Sequence, residues 1–299
     1  MDRKRLLYIV AAEPHVSPFD VNMAYDAGFD AVLPYPGVKA AAVRGLVQDV
    51  MFSRGPKGAR ASALMIASAG LSEAEAGFRA ARKALFDPFR IALFVDPKGA
   101  YTTAAALIAK VEALLRTAGA KEGLKGRTVA VLGGTGGVGR AAAGMAAASG
   151  ARVTLVSREA LRATTAAEEV GALYGASVAP KGAAGEAERA AVAAQSDVIM
   201  AAGAAGAELL GEASVKALRG PKILADVNAV PPAGLAGVDA RADGATLGPG
   251  VFALGALAIG DLKFKVEAAL LRDLLGDGPA PLIDAAAARA RAAAILAGG

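Results

Sequence analysis

The 299 residues hold 33 Lys and Arg against 28 Asp and Glu, one His and no Cys, which excludes disulfides, thiolate nucleophiles and Cys/His metal clusters. The mean hydropathy of +0.42 owes much to alanine, and the longest uncharged stretch near the C-terminus, residues 244–260, is too short for a span of ~20 apolar residues and is broken by glycines and Pro249. A net charge of +5 without a long Lys/Arg run gives no support for nucleic-acid binding, and a mild positive field suits small polyanions instead.

The first residues, MDRKRLLYIVAAEPH, imitate a signal peptide. Glu13-Pro14-His15 interrupts the apolar run without a small-residue cleavage site, so Leu6–Ala11 reads as a first strand and the chain as cytoplasmic. Ala31–Leu33, Ser62–Ala67 and Ile91–Val95 follow as strands. They alternate with Gly37–Val50, Ser72–Phe86 and Tyr101–Ala118, which carry apolar residues at helical spacing. Tyr35-Pro-Gly-Val-Lys39 has the Tyr-x-x-x-Lys spacing of short-chain dehydrogenases, but Pro36-Gly37 breaks the helix that would put both side chains on one face. The pair is read as coincidental, and Tyr35 is kept as a residue lining a cleft.

The polar, glycine-rich residues 117–126 divide the chain. Beyond them, Thr128–Gly133, Arg152–Ser157, Asp197–Ala202 and Lys222–Val227 read as buried parallel strands with helices between. After Val251 the pattern is a glycine-rich loop and two helices, Leu262–Leu275 and Leu282–Ala297, the last returning to the first lobe. The expected fold class is therefore α/β, with two α/β lobes: an N-terminal substrate lobe (1–123) and a Rossmann-type nucleotide lobe with a parallel sheet (124–260). Helices at 261–299 complete the chain.

The second lobe opens on a strand, a glycine turn and an alanine-rich helix. Gly134-Thr135-Gly136-Gly137-Val138-Gly139 fits the G-x-G-x-x-G spacing, in which the first glycine makes the turn, the second admits a pyrophosphate and the third lets helix pack on strand. The next strand ends in Ser157-Arg158, 24 residues past Gly134, where an NAD site usually carries an acid. A hydroxyl beside a guanidinium suits a 2′-phosphate, so NADP is the expected cofactor, with Glu159 leaving NAD possible. Ala202-Gly203 and Asn228 follow strands and are read as bordering the ribose and nicotinamide; Gly255 lies in a loop able to approach the ring.

Longer segments are more specific than the glycine motif. His15–Met23 (HVSPFDVNM), Gln48–Arg54, Asp96–Thr103, Asp226–Asp239 (DVNAVPPAGLAGVD) and Gly255–Gly260 followed by Lys263 resemble the NAD(P)-dependent methylenetetrahydromethanopterin dehydrogenases over nearly the whole chain. They look closer to the tetrahydromethanopterin-selective form than to the form that also accepts tetrahydrofolate.

The resemblance implies hydride transfer from the methylene carbon of the reduced pterin to NAD(P)+ in one-carbon metabolism (formaldehyde oxidation), with a tetrahydromethanopterin-type C1 carrier as partner and a homo-oligomer, trimer or hexamer, as assembly. Two nitrogen lone pairs stabilise the resulting methenyl cation, so no general base is expected; with one His and no Cys, no metal site is expected either. Asp20 and Asp96, placed in loops after first-lobe strands, either stabilise that cation or bind the pterin edge, or else cap helices and shape turns. Arg54 either pairs with an acidic substrate tail or makes a surface ion pair. Thr102 and Thr103 either cap a helix or touch substrate. Ser17, Asn22 and Lys263 are substrate-binding candidates by the resemblance, and the isolated His15 is read as a packed or hydrogen-bonded histidine. Methylenetetrahydrofolate dehydrogenase and a non-catalytic NADP sensor are the competing readings.

Overall fold

In the computed structural model, which describes residues 3–276 and 278–298, the chain runs in order through β1 (Leu6–Val10), α1 (Pro18–Ala27), β2 (Ala31–Tyr35), α2 (Ala40–Ala59), β3 (Ser62–Ile66), α3 (Leu71–Ala84), β4 (Ala92–Val95) and α4 (Ala100–Thr117). It continues with β5 (Thr128–Leu132), α5 (Gly137–Ala148), β6 (Arg152–Ser157), α6 (Ala160–Tyr174), β7 (Ala179–Gly182), α7 (Glu186–Ala194), β8 (Val198–Ala201), α8 (Glu212–Ala217) and β9 (Lys222–Asp226). The last elements are β10 (Asp243–Gly248), β11 (Val251–Leu254), α9 (Ala256–Asp273), β12 (Leu282–Ile283) and α10 (Ala285–Leu296). The α/β class holds, with strands and helices alternating around two largely parallel sheets.

One compact unit runs to Thr102 and takes in Phe264–Arg291; the other takes Thr103–Lys263 and the chain from Ala292 onward. The three-part division at 123 and 260 differs from this partition because α4 and α9 each contribute to both units. Positions 1, 2, 277 and 299 of that division lie outside the described residues.

The first unit's sheet has the order β12-β4-β3-β1-β2, all parallel. Its inner strands β3 and β4, SALMI and ALFV, are buried at every position, as strands covered by helices on both faces must be. Helix α3 buries Leu71, Ala74, Phe78 and Ala81 at helical spacing and turns its charges outward. Helix α1, which the periodicity did not reveal, starts at Ser17, whose hydroxyl accepts a hydrogen bond from Phe19 N at 3.2 Å, and Pro18 follows at a position where its missing N–H costs nothing. Near its end, α2 is broken by Gly55, with φ 64°, followed by Pro56.

The second unit's sheet has the order β10-β11-β9-β8-β5-β6-β7, and β10–β11 is its antiparallel pair. Residues 251–254, expected as loop, form β11 because Val251, Ala253 and Leu254 find a buried parallel partner in β9. The alanine richness is a packing device: Ala141, Ala142, Ala143 and Ala146 of α5 are fully buried, so that helix lies close on its sheet. Lys110 of α4 holds Asp243 at the start of β10 at 2.8 Å. Among the described residues, no helix is long and apolar enough to cross a membrane.

Candidate functional site

In the second unit, the strand order reverses between β5 and β8, the point where parallel α/β sheets open a ligand crevice at their carboxyl ends. The loops leaving those two strands touch. A Cβ on Gly133, whose φ is 65°, would lie 2.6 Å from the Cα of Gly203, and Ala202 N donates to Leu132 O at 2.9 Å. A Cβ on Gly139 would lie 2.6 Å from the Cα of Gly134, so α5 sits directly on the turn. Gly136 is the opposite case: it caps α5, is exposed, and its missing Cβ would point into open space.

That contrast, a turn tight against its own backbone but open at Gly136, suits a dinucleotide. The first turn of α5, with Gly137 and Val138, presents N–H groups that no earlier helical carbonyl can accept, beside a glycine that leaves room for phosphate oxygens. Thr135 is half-buried in the same turn. The second strand of the unit ends in Ser157, 8% exposed, and in the exposed Arg158, which neighbours the Glu159–Arg162 ion pair at 3.9 Å. These residues can hold the pyrophosphate and a 2′-phosphate, respectively, of an NADP molecule.

Two positions expected at the cofactor have structural duties. Asn228 Oδ1 accepts from Gly206 N at 3.3 Å and from Val230 N at 3.0 Å, while its Nδ2 donates to Pro232 O at 3.0 Å. Its side chain therefore shapes the loop after β9. Gly255 is a glycine because the backbone of Asp239 and Ala240 passes beside it; a Cβ there would be 2.0 Å from Asp239 O. The close approach at Gly255 is made by the protein's own chain.

Asp226, at the carboxyl end of β9, escaped the sequence-based selection. It is 1% exposed and accepts hydrogen bonds from Asn228 N (2.9 Å) and Leu235 N (3.0 Å), pinning both ends of the 227–235 loop. Burial pushes its carboxyl above the usual range, opposed by backbone hydrogen bonds from Asn228, Leu235 and Gly234. Its signal in the sequence was an acid ending an apolar strand, a pattern shared with ordinary turn residues.

In the first unit, the sheet order reverses between β1 and β3. At their carboxyl ends, Ala12 N donates to Ser68 Oγ at 3.0 Å and Ala69 N to Glu13 Oε1 at 2.9 Å. Glu13 and Ser68 thus join the candidate crevice; their position follows from strand order, which no local pattern reveals. Tyr35 ends β2, and its ring lies 6.0 Å from that of Tyr8, while Lys39 caps α2, so the Tyr-x-x-x-Lys pair shares no helix. His15 is exposed in the loop after β1, which corrects the packed half of the packed-or-hydrogen-bonded reading.

Asp96 is fully buried after β4, and the capping alternative describes it. Its Oδ1 accepts from Tyr101 N at 2.8 Å and Thr102 N at 3.3 Å, and Oδ2 accepts from Thr102 Oγ1 at 2.6 Å. Thr102 is accordingly spent on the start of α4, where Thr103 is half-buried. Asp20 belongs to the first turn of α1 rather than to a loop and is 3% exposed; Ser17 precedes it as cap, and Asn22 is exposed on the same helix.

Arg54 stands apart from these residues. Its guanidinium donates to Lys4 O at 2.8 Å, Ser62 Oγ at 2.8 Å and Ala61 O at 3.2 Å, tying together the chain just before β1 and β3. That is the amino edge of the sheet, opposite the crevice, and its donors are committed to protein oxygens. Lys263, half-buried, sits within α9.

Known proteins resemble the chain in sequence and in fold. Residues 18–98 match the family described as methylene-tetrahydromethanopterin dehydrogenase, N-terminal. The chain is 38% identical over 278 residues to a protein of Methylorubrum extorquens named NAD(P)-dependent methylenetetrahydromethanopterin dehydrogenase, covering 91% of this chain and 92% of that one. It is 35% identical over 271 residues, with the same coverages, to the bifunctional protein MdtA of that bacterium. Among solved structures, 5-ketofructose reductase of a Gluconobacter species shares the fold, with a TM-score of 0.55 and 20% identity over 98% of this chain and 99% of that one. At 38% identity along 91% of its length, the chain belongs to the family of NAD(P)-dependent methylenetetrahydromethanopterin dehydrogenases.

Proposed function

We propose that the protein is an oxidoreductase that moves a hydride from the bridging methylene carbon of methylenetetrahydromethanopterin to NAD(P)+, with NADP+ preferred. The observation that carries this reading is the 38% identity, along almost the whole chain, to a protein bearing that name. The open Gly136 at the start of α5 and the exposed Arg158 after β6 support the cofactor part of it. When bound, the nicotinamide supplies the hydride acceptor.

The chain's own work is positioning and the exclusion of water. The carbon that loses hydride is already activated by two nitrogen lone pairs, so the reaction asks for no general base. Asp20, buried in the first turn of α1, is the carboxylate proposed to favour the developing cation or to hold the pterin edge. Ser17, Asn22, Tyr35, Thr103 and Lys263 remain proposals for contacts to the substrate. Tetrahydrofolate as carrier and a non-catalytic NADP sensor are not favoured, because the relative's name specifies both the pterin and turnover.

The reading extends to a place in one-carbon metabolism, in formaldehyde oxidation and methylotrophy, to a cytoplasmic location and to a homo-oligomer, trimer or hexamer. Sedimentation of the purified chain measures the last directly. Following the methenyl product by absorbance, with purified methylenetetrahydromethanopterin and methylenetetrahydrofolate offered separately with NADP+, tests the reaction. A much higher kcat/KM with the folate, or no turnover with either, overturns it.

A further inference from the structure

We propose that Lys98 is a substrate-binding residue whose ammonium holds an electron-rich oxygen of the pterin at a point remote from the reacting carbon. The proposal rests on the reaction assigned above and names a contact within the first unit's crevice. From Ile91 to Thr102 every residue is buried except Lys98. It is also the non-glycine residue that, among the described residues, has a positive φ, at 48° with ψ 44°. Side chains avoid this left-handed region because Cβ crowds the backbone, and glycine is its ordinary occupant.

The turn is held from two directions. Lys98 N donates to Ala67 O at 3.3 Å, at the end of β3, and the Asp96 carboxylate is turned inward onto Tyr101 and Thr102. The backbone geometry therefore belongs to the turn, and the lysine side chain adds nothing to holding it: among the described residues, the ammonium has no carboxylate partner. A strained position occupied by an exposed, unpaired cation, beside the carboxyl ends of β3 and β4, is the pattern of a residue kept for a ligand.

Electrostatics restricts what that ligand group can be. Hydride loss leaves a cation at the methylene carbon, and a second positive charge next to it would raise the barrier. Lys98 must therefore meet an oxygen elsewhere on the substrate: the carbonyl of its pyrimidinone ring or an acidic group of its side arm. Both share the same chemistry, an ammonium donating to an electron-rich oxygen. The consequence is an effect on pterin binding, with the chemical step little changed.

The test uses the full chain and the variants Lys98→Gly, Lys98→Met and Lys98→Arg, with kcat and both KM values measured alongside thermal unfolding. Loss of a charge-assisted bond should raise the pterin KM about 10- to 100-fold in the Gly and Met variants, with the NADP+ KM unchanged and Arg restoring most of the loss. Lys98→Gly should unfold at a temperature no lower than the parent, since glycine relieves the left-handed position. A pterin analogue without the acidic side arm separates the two oxygens: the defect persists if the ring carbonyl is the partner and vanishes if the side arm is. If the parent turns over the pterin and the Gly and Met variants keep its KM, the Lys98 proposal fails alone. If the parent turns over neither pterin, the reaction reading fails, and this contact with it.

Discussion

Gly139 and Gly134 are in such close contact that a Cβ on the first would stand 2.6 Å from the Cα of the second. The neighbour is backbone, so it has no rotamer through which to give way. Gly139→Ala should therefore destabilise the second unit by about 1–3 kcal/mol, the usual cost of overpacking a tight interior. Chemical denaturation measures this, and a variant as stable as the parent would show that α5 can slide off the turn.

Gly136 gives the complementary case, since a Cβ there meets no protein atom within 4 Å. Gly136→Val should leave the unfolding midpoint near that of the parent while blocking the path of the pyrophosphate. Calorimetric titration should then find NADP+ and NAD+ weakened together. Undiminished binding of both would move the phosphate site elsewhere.

Arg158 is exposed at the end of β6, next to the nearly buried Ser157. Arg158→Ala should cost NADP+ binding about 1.5–3 kcal/mol, the worth of a hydrogen bond to a charged group, while NAD+ loses little. Initial rates with each cofactor decide this. An equal rise of both KM values would refute the 2′-phosphate assignment and leave the dinucleotide fold intact.

Asp96 holds the first turn of α4 with both carboxylate oxygens. Replacing it with Ala should cost about 1–2 kcal/mol of stability as a lost cap. For the fraction that remains folded, kcat should stay near the parent value. A collapse of kcat at unchanged stability would restore Asp96 to the chemistry.

Asp226 has its carboxyl raised above 3.8 in the folded chain, chiefly by burial, with the hydrogen bonds of the 227–235 loop acting in the opposite direction. A raised folded value means that this group's favourable contribution is complete below its unfolded value and is lost as pH rises through the folded one. Asp226→Asn cannot titrate, so its stability relative to the parent should increase as pH climbs from about 4 through that range. Urea unfolding at a series of pH values measures the difference. Parallel profiles for the two proteins would mean that Asp226 does not titrate differently on folding.

The strands were legible because they are short apolar runs bounded by turns: β6 was read with its observed limits, and β1, β3 and β5 to within one residue. Helix α1 was not, since its ten residues bury just Asp20, Met23 and Ala24 and show no clear apolar stripe. Strand β11 was hidden among glycines, and the two-residue β12 has no pattern of its own; it exists because β4 offers an open edge. The glycine turn could be read whole, since each glycine answers a constraint within a few residues. Arg54 could not, because its carbonyl partners before β1 and β3 are distant in sequence on one side and are ordinary backbone on both.

By itself, the sequence determined the α/β class, the dinucleotide turn with its phosphate-compatible strand end, and the family, because these depend on local periodicity and on contiguous motifs. Only the tertiary structure decided which strands flank which and therefore which loops share a crevice. Strand order brought Ala12 to Ser68 and Glu13 to Ala69, and set Arg54 on the opposite edge. The physical reason is that a side chain's partners are chosen by pairing between strands far apart in the chain, a long-range outcome that residues within a single segment do not encode.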